Sequence, residues 1–380
     1  MLKKMKSERL VWLDVTITLL ALELMAYFYY GVRSLAIAGL CVTVSLAADI
    51  ISVRLMGRRF TADDLSCTSD ALIIALMLPS VMSYKVAALA SLFAVVVAKN
   101  IFGGRVNMIF SPAAAAYIFV LTSWGRDLLL FTAPHVKTGI FGKPQELVNS
   151  ASHVFNMTGR MEYTNFEIML GNFSGAAGAV SILLLAVSAL ILMFRRDISA
   201  GAFIGTIAGT ALFAYVAPII PNRADSVRYS LVTNMFLFAA IYIVSDRRIA
   251  PKRNYYAFFY GLFIGIVSYV IVLTTAKENA IVIVSVLFTP IALMFKNLEK
   301  RIELASTEAN FNAAMKEAEA LEEQLADEQE EPSEDEERSV EHEEEQEEPV
   351  DEETDDFEEF LDEELSELLD EEEEEEHTDE

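Results

Sequence analysis

Apolar runs of about twenty residues recur from Leu10 to the neighbourhood of Lys296 in this 380-residue chain, and no other feature constrains its fold as much. Wound as an α-helix, such a run crosses a ~30 Å hydrocarbon layer, inside which each backbone polar group needs a partner within its own helix. The runs fall near residues 10–30, 34–53, 67–81, 84–98, 107–124, 174–194, 199–217, 229–245, 255–274 and 279–296. The expected fold is therefore all-α and polytopic, with about ten transmembrane helices. The first run is followed by the bulky AYFYYG and not by a small-residue cleavage pattern, so it reads as a retained anchor.

Charge divides the chain into two unlike polymers. From Ile302 onward lie 40 of the 56 acids but only two of the 29 bases, a net charge of −38; the preceding body carries +11. Helical spacing of Ala, Leu and Glu persists to about residue 331, which predicts a cytoplasmic helical segment over 302–331. Residues 332–380 are nearly all Glu and Asp, and self-repulsion with little apolar area predicts a disordered acidic tail. Two cysteines, Cys41 and Cys67, exclude a secreted disulfide scaffold and a self-contained four-cysteine metal or iron–sulfur site.

Basic residues between the runs set the orientation. The ends that include Lys3, Lys4, Lys6 and Arg9 of residues 1–9, and later Arg195, Arg196, Arg247 and Arg248, collect 18 basic charges; the opposite ends collect nine. Both termini are expected in the cytoplasm, with the long connection 125–173 outside. The membrane domain then spans 10–301. An odd five-span half that starts inside sets the next five in the opposite sense, so ten spans allow two inverted five-helix repeats of the transporter type. The segment TSDALIIALMLPSVMSYK, interrupted by Pro79 and closed by Lys85, suits a helix that lines a cavity.

Ionisable groups at membrane depth are costly unless paired, which makes them candidates for an ion path. Glu23 stands two thirds of the way along the first run, and Asp70 nearer the cytoplasmic boundary, as do Asp14 and Asp49. Asn234 serves equally as helix glue or ligand. His135, His153, His342 and His377 show no metal-ligand spacing, and no phosphate loop, dinucleotide fingerprint or nucleophile elbow is present. The stretch KNIFGGRVNMIFSPAAAAYIF, Lys99 to Phe119, offers Gly103 and Gly104 for close backbone approach, the Asn107 amide, and Pro112 at the first turn of a small-residue helix; this suits either a polar cofactor ring or a plain interhelical loop.

That stretch resembles the signature of the D subunit of the Rnf electron-transport complex and of the related B subunit of the sodium-pumping NADH:quinone reductase, written approximately KHxFGGxGxNxFNPA. The chain keeps Lys99, Phe102, Gly103, Gly104, Asn107, Phe110, Pro112 and Ala113, and departs at Asn100, Val106 and Ser111. SDALIIALMLPS is similar to the family's SALLTGLLLALxLPP, and LGNFSGAAGAVSILLLAVSALILMFRRDISA resembles its GNxxGSxGExS helix and the basic turn after it. YIVSDRRIAP echoes an ATDPxTxP element through Asp246 and Pro251, so the resemblance runs from about Asp64 to Arg301.

The resemblance implies a flavin-carrying membrane subunit of an ion-translocating electron-transport complex of the ferredoxin:NAD or NADH:quinone type, in a bacterial inner membrane, coupling electron flow to Na+ or H+ export. Family members hold FMN through a phosphoester to a threonine in a motif close to DxxSGAT. Here ELVNSASHV places Glu146 at the aspartate, Asn149 and Ser150 at the next sites, Ala151 in register, and Ser152 at the threonine. Serine supplies the hydroxyl that a flavin transferase requires. A second flavin, riboflavin, is implied near Lys99, Gly103, Gly104 and Asn107. Implied partners are iron–sulfur and flavoprotein subunits, the flavin transferase and the lipid bilayer, with no nucleic acid. The same architecture also suits a transporter or channel of inverted-repeat type, or a flavin-free structural subunit.

Overall fold

A computed structural model describes residues 2–58, 64–102, 104, 108–142 and 147–330. The chain divides into two compact units, Met1–Glu308 and Ala309–Glu380. The first holds the helical core described below. Of the second, the described part is the helical stretch that ends at Glu330; the acidic tail predicted over 332–380, with His342 and His377, lies outside the described residues.

Helices α1 (Leu2–Tyr30) and α2 (Val32–Leu55) form a hairpin about Gly31, whose φ of +88° is the left-handed conformation that glycine adopts without a Cβ clash. A Cβ there would also press at 3.2 Å on Lys137 and Thr138, because the segment after α5 lies across this turn. Helix α3 (Cys67–Met77) has 11 residues, about 16 Å, and is buried almost on every side. It stops short of the expected residue 81 because Pro79 forces Leu78 into an extended conformation, ψ 148°. Helix α4 (Tyr84–Phe93) passes into wider π-helical turns over Ala94–Asn100. Helix α5 (Pro112–Leu128) begins five residues later than the sequence suggested, where Ser111 caps it by accepting from the Ala114 N–H. Serine and asparagine cap helices about equally well, so the departure from the family's FNPA keeps the local physics.

The long connection is folded. Strands β1 (Leu130–Thr132) and β2 (Leu147–Asn149) pair antiparallel, with Leu130 opposite Asn149, and lead into α6 (Ala151–Thr158) and α7 (Asn165–Leu170). Ser150 caps α6, and a reciprocal Thr164–Glu167 capping box starts α7. Tyr29 and Tyr30, at the end of α1, donate their hydroxyls to the Leu170 and Phe173 carbonyls and tie this layer to the bundle.

The second half contains α8 (Ile182–Phe194), which starts at 182 and not at the expected 174, then α9 (Ala200–Val216), α10 (Arg223–Val232) and α11 (Phe236–Ala239), the last continuing as π-helical turns to Val244. The run expected as one helix over 229–245 is bent by 58° at 233–235, where Asn234 and Met235 both have positive φ. Helices α12 (Asn254–Thr275), α13 (Ala280–Leu287) and α14 (Thr289–Glu330) follow, with a 47° bend between the last two. Helices α9 and α12 touch backbone to backbone. A Cβ on Gly205 would lie 2.1 Å from the Phe258 carbonyl oxygen, and one on Gly261 2.1 Å from that of Ala202. Small residues permit this approach where no water drives helices together.

Helices α3 and α11 run antiparallel through the centre. The C-terminal end of α3 meets α11 at Gly178, whose N–H donates to the Leu76 carbonyl and whose Cβ would strike Phe238; Asp70, in the first turn of α3, meets Arg248 in the turn that follows the π-helical extension of α11. Among the described residues, Val11–Tyr30, Val32–Leu55 and Asn254–Thr275 are long and apolar enough to cross a membrane, and the two bent pairs bring the number to five. Leu24, Leu190 and Phe194 point outward at 58%, 62% and 92% exposure. An apolar girdle of that kind suits hydrocarbon and not water.

Candidate functional site

The bundle has a polar cluster at each end. At the loop end, three elements that are distant in sequence converge. The first turn of α6 brings Ser150 and Ser152, the break between α10 and α11 brings Thr233 and Asn234, and the turn between α12 and α13 brings Glu278 and Asn279; all six are buried. Ser150 Oγ accepts from the His153 N–H at 3.0 Å as helix cap and donates to Glu278 Oε2. Ser152 Oγ accepts from the backbone N–H of Asn234 at 3.0 Å. That N–H points at α6 because Asn234 sits at φ +60° and has left the helical hydrogen-bond ladder. The Asn156 amide, one turn along α6, donates to Asn234 Oδ1 and to the Ala276 carbonyl. Burial pushes the Glu278 carboxyl up to about 7, against the Ser150 hydrogen bond that lowers it.

The one donor at Ser152 that suits a phosphoester is the Asn234 backbone N–H; the side-chain amides of Asn156 and Asn234 donate instead to Asn234 Oδ1 and Thr233 Oγ1. Ser152 is 6% exposed with its hydroxyl engaged with Asn234, and Ser150 is 1% exposed. Attachment at either serine therefore requires the first turn of α6 to lift away from the α10–α11 break. A cavity of about 480 Å³ on the same side is lined by Arg33, Tyr84, Lys85, Asp127 and Phe141, and includes no residue of α6. Glu146, which stands at the aspartate of the motif, lies outside the described residues.

At the opposite, basic end, Lys99 and Asn100 in the π-helical turns both engage Asp49 of α2, Lys99 Nζ at 2.8 Å and Asn100 Nδ2 at 3.1 Å. Lys99 is thus committed to an ion pair, with both partners essentially inaccessible. Gly104 follows at φ +74°, with the Arg58 guanidinium 3.5 Å from where a Cβ would stand; Gly103 and Asn107 lie outside the described residues. Asp70 is likewise paired. Arg248 Nη2 lies 2.9 Å from Asp70 Oδ1 and 2.7 Å from Asp246 Oδ2. Between the two ends, Glu23 is 2% exposed, accepts from Ser34 Oγ at 2.8 Å, and leaves Oε2 without a partner.

Of the residues singled out from sequence, the structure brings Ser150, Ser152 and Asn234 together. It places Lys99 and Asp70 in separate ion pairs at the other end and Glu23 in between, bonded to Ser34. Sequence reasoning passed over Glu278, because TTAKENA reads as an ordinary polar turn between two apolar runs. It also left Asp70 and Lys99 without partners, although Arg248 and Asp49 were both in view as boundary charges.

Similarity to known proteins follows the same boundaries. The profile of the NQR2, RnfD, RnfE family matches residues 2–295, which extends the similarity back from Asp64 through α1 and α2 and ends it within α14. The chain is 26% identical over 263 residues to the D subunit of the Na(+)-translocating ferredoxin:NAD(+) oxidoreductase complex of Acetobacterium woodii, covering 68% of this chain and 78% of that protein. It is 28% identical over 204 residues to the B subunit of the Na(+)-translocating NADH-quinone reductase of Yersinia pestis, covering 52% of this chain and 49% of that protein. The D subunit of an ion-translocating oxidoreductase complex from Shewanella sediminis is 27% identical over 151 residues, 39% of this chain and 42% of that one. The chain thus spans about half the length, or less, of the last two.

Proposed function

Because the chain belongs to the NQR2, RnfD, RnfE family, we propose that it is the flavin-carrying membrane subunit of an Rnf-like ion-translocating electron-transport complex, working beside iron–sulfur and flavoprotein subunits. The observation that carries this reading is the match over residues 2–295, which covers both halves of the bundle and both polar ends. In this reading FMN, placed by a flavin transferase, is held as a phosphoester on Ser152. The Asn234 N–H that donates to the Ser152 hydroxyl would serve the phosphate, and Ser150 holds the turn. Bound there, the flavin supplies electron transfer; the chain's own residues fix its distance from redox neighbours and limit water around it. Riboflavin at the basic end rests on the family resemblance alone. Lys99 is spent on Asp49, so a ring there would meet the backbone at Gly104 and not a free ammonium.

The ten runs become ten spans of two inverted five-helix repeats, with α3 and α11, antiparallel and short, as equivalent elements of the two halves. Both termini lie in the cytoplasm of a bacterial cell and the flavin loop outside, supported by the 18-to-9 asymmetry of basic residues. Ion export, of Na+ or H+, passes Glu23, a membrane-depth carboxyl with a vacant oxygen; Asp70, locked to Arg248, serves the structure of the entrance.

Burial of both serine hydroxyls favours a second reading, a flavin-free member of the same complex. In-gel fluorescence after SDS denaturation separates the two. Protein produced with a flavin transferase is expected to keep its fluorescence through denaturation and to lose it in Ser152→Ala but not in Ser150→Ala. A wild-type chain that stays dark supports the flavin-free reading.

A further inference from the structure

The cavity of about 480 Å³ at the loop end, which the serine cluster does not use, combines charged and apolar lining. Arg33, near the start of α2, is its most buried charge, at 9% exposure. The guanidinium stacks on the Tyr84 ring and donates to the carbonyls of Ser80, Val81, Met82 and Gly142. Its five N–H groups exceed those four carbonyls by one, and carbonyls do not neutralise its charge. Among the described residues Arg33 has no carboxylate partner. A buried cation is costly without an anion, so the cavity is one negative charge short at this point.

Two more donors open on the same space. Helix α4 starts at Tyr84 without a side-chain cap, and the N–H groups of Tyr84 and Lys85 donate to nothing among the described residues. Free N–H groups at the positive end of a helix dipole attract an anion. The exposed Lys85 ammonium adds a full charge and is in no ion pair with a described residue. The opposite sign is present too. Asp127, exposed near the end of α5, lines the cavity and pairs with no described cation.

The rest of the lining is apolar, and Phe141 in it is 91% exposed. Lys85, Leu89 and Leu92 stand at i, i+4 and i+7 of α4, hence on one helix face, and all three are exposed. On a helix of a membrane subunit, outward leucines meet acyl chains, and a lysine at the end of their stripe carries its charge to the polar head groups.

We propose that this cavity binds the head group of a phospholipid of the phosphoethanolamine class. The phosphodiester is held by Lys85, the free N–H groups of α4 and the spare Arg33 N–H; the ammonium meets Asp127; the acyl chains run along Leu89 and Leu92. A zwitterion answers both signs of charge in the cavity, whereas a bare anion would leave Asp127 without a partner. The volume lies within the roughly 300–1,000 Å³ usual for small-molecule sites. Leu130 of β1 and Leu147 of β2 also line the cavity, and β2 leads into α6, so a lipid seated here braces the layer that carries Ser150 and Ser152. The proposal rests on the chain being a membrane subunit and not on its carrying flavin.

Native mass spectrometry and thermal denaturation of the full-length chain in detergent test it, with phosphatidylethanolamine, phosphatidylcholine and phosphatidylglycerol of identical acyl chains as probes. Phosphatidylethanolamine is expected to be retained most strongly and to raise the midpoint most. Lys85→Gln should weaken retention of phosphatidylethanolamine and phosphatidylcholine about tenfold, the loss of one charge-assisted hydrogen bond. Asp127→Asn should abolish the preference for the primary amine over choline. Lys277→Gln, which removes another exposed lysine at the same end, should change neither. Both test residues are exposed, and Arg33 is left intact because its bonds hold residues 80–82 and 142. Equal retention of the three lipids, or retention indifferent to Lys85→Gln and Asp127→Asn, overturns the proposal. Tighter retention of phosphatidylglycerol overturns the role of the amine. Inorganic phosphate that raises the midpoint as much without lipid makes this a free-anion site and overturns the lipid assignment. Flavin, transferase and sister subunits are absent from every arm, so the result stands whether or not the flavin reading does.

Discussion

The hydroxyl of Ser152 and the backbone N–H of Asn234, 82 residues apart, meet at 3.0 Å and join the loop layer that contains α6 to the break between α10 and α11. Neither group is free in sequence terms: one belongs to a short helix, the other to an apolar run. Their contact exists because Asn234 takes φ +60°, which turns its N–H out of the helix. Asparagine tolerates that conformation better than most residues, and glycine better still.

Asn234→Gly is expected to keep the bend and most of the thermal stability. Asn234→Val should cost about 1–2 kcal/mol, since a β-branched residue is strained at positive φ. Thermal denaturation of the purified full-length protein, monitored by circular dichroism, checks the order. Equal midpoints for the two variants would mean that the bend does not hold residue 234 in the left-handed region.

The α9–α12 contact is expected to be intolerant of a single methyl group. Gly205→Ala and Gly261→Ala each put a Cβ 2.1 Å from a facing carbonyl oxygen and should cost about 1–3 kcal/mol or more through separation of the helices. Gly39→Ala in α2 meets nothing within 4 Å and should be neutral or stabilising by up to about 1 kcal/mol, as alanine is the better helix former. Fluorescence-detected size exclusion after a heat step ranks the three variants.

Glu278 makes stability depend on pH with a definite sign. Its folded carboxyl titrates at about 7 against 4.5 when unperturbed, so between those values the folded state holds a proton that the unfolded chain has released. Stability is expected to fall as pH rises from about 4.5 to 7, by on the order of 3 kcal/mol at most, and to level off above. Glu278→Gln should flatten this profile and raise the midpoint at pH 8. A profile unchanged by the substitution would show that Glu278 is not the group responsible.

Arg248 and Asp70 form a buried pair whose halves are not independent. Arg248→Ala strands Asp70, whose side chain is 3% exposed, and should cost about 3–5 kcal/mol; adding Asp70→Asn should restore part of that loss. Arg248→Lys is expected to behave more like the alanine variant, because an ammonium cannot span Asp70 and Asp246 as the guanidinium fork does. A double-mutant cycle on thermal midpoints measures the coupling, and additive losses would contradict it.

Hydropathy and charge order marked the apolar stretches and the long connection between the fifth and sixth runs, and the family resemblance singled out the serines at its end. These are local properties: twenty apolar residues in a row, or forty acids past Ile302, have the same consequence whatever surrounds them. Motif order likewise identified the family, since its glycines, capping residues and turn acids are read at fixed spacing along the chain.

Partners were decided in three dimensions. Nothing local distinguishes Lys99, paired with Asp49, from a lysine free to hold a cofactor, or Asp70, clasped by Arg248, from a carboxylate in an ion path. Glu278 looks like a surface turn residue, yet packing of α6 against the α12–α13 turn buries it on Ser150. The break at Asn234 lies inside an apolar run that hydropathy reads as continuous. Hydropathy scores whether a segment can leave water; it carries no information on which distant backbone fills the space beside it, and that neighbour sets whether a polar group is paired, titrating or vacant.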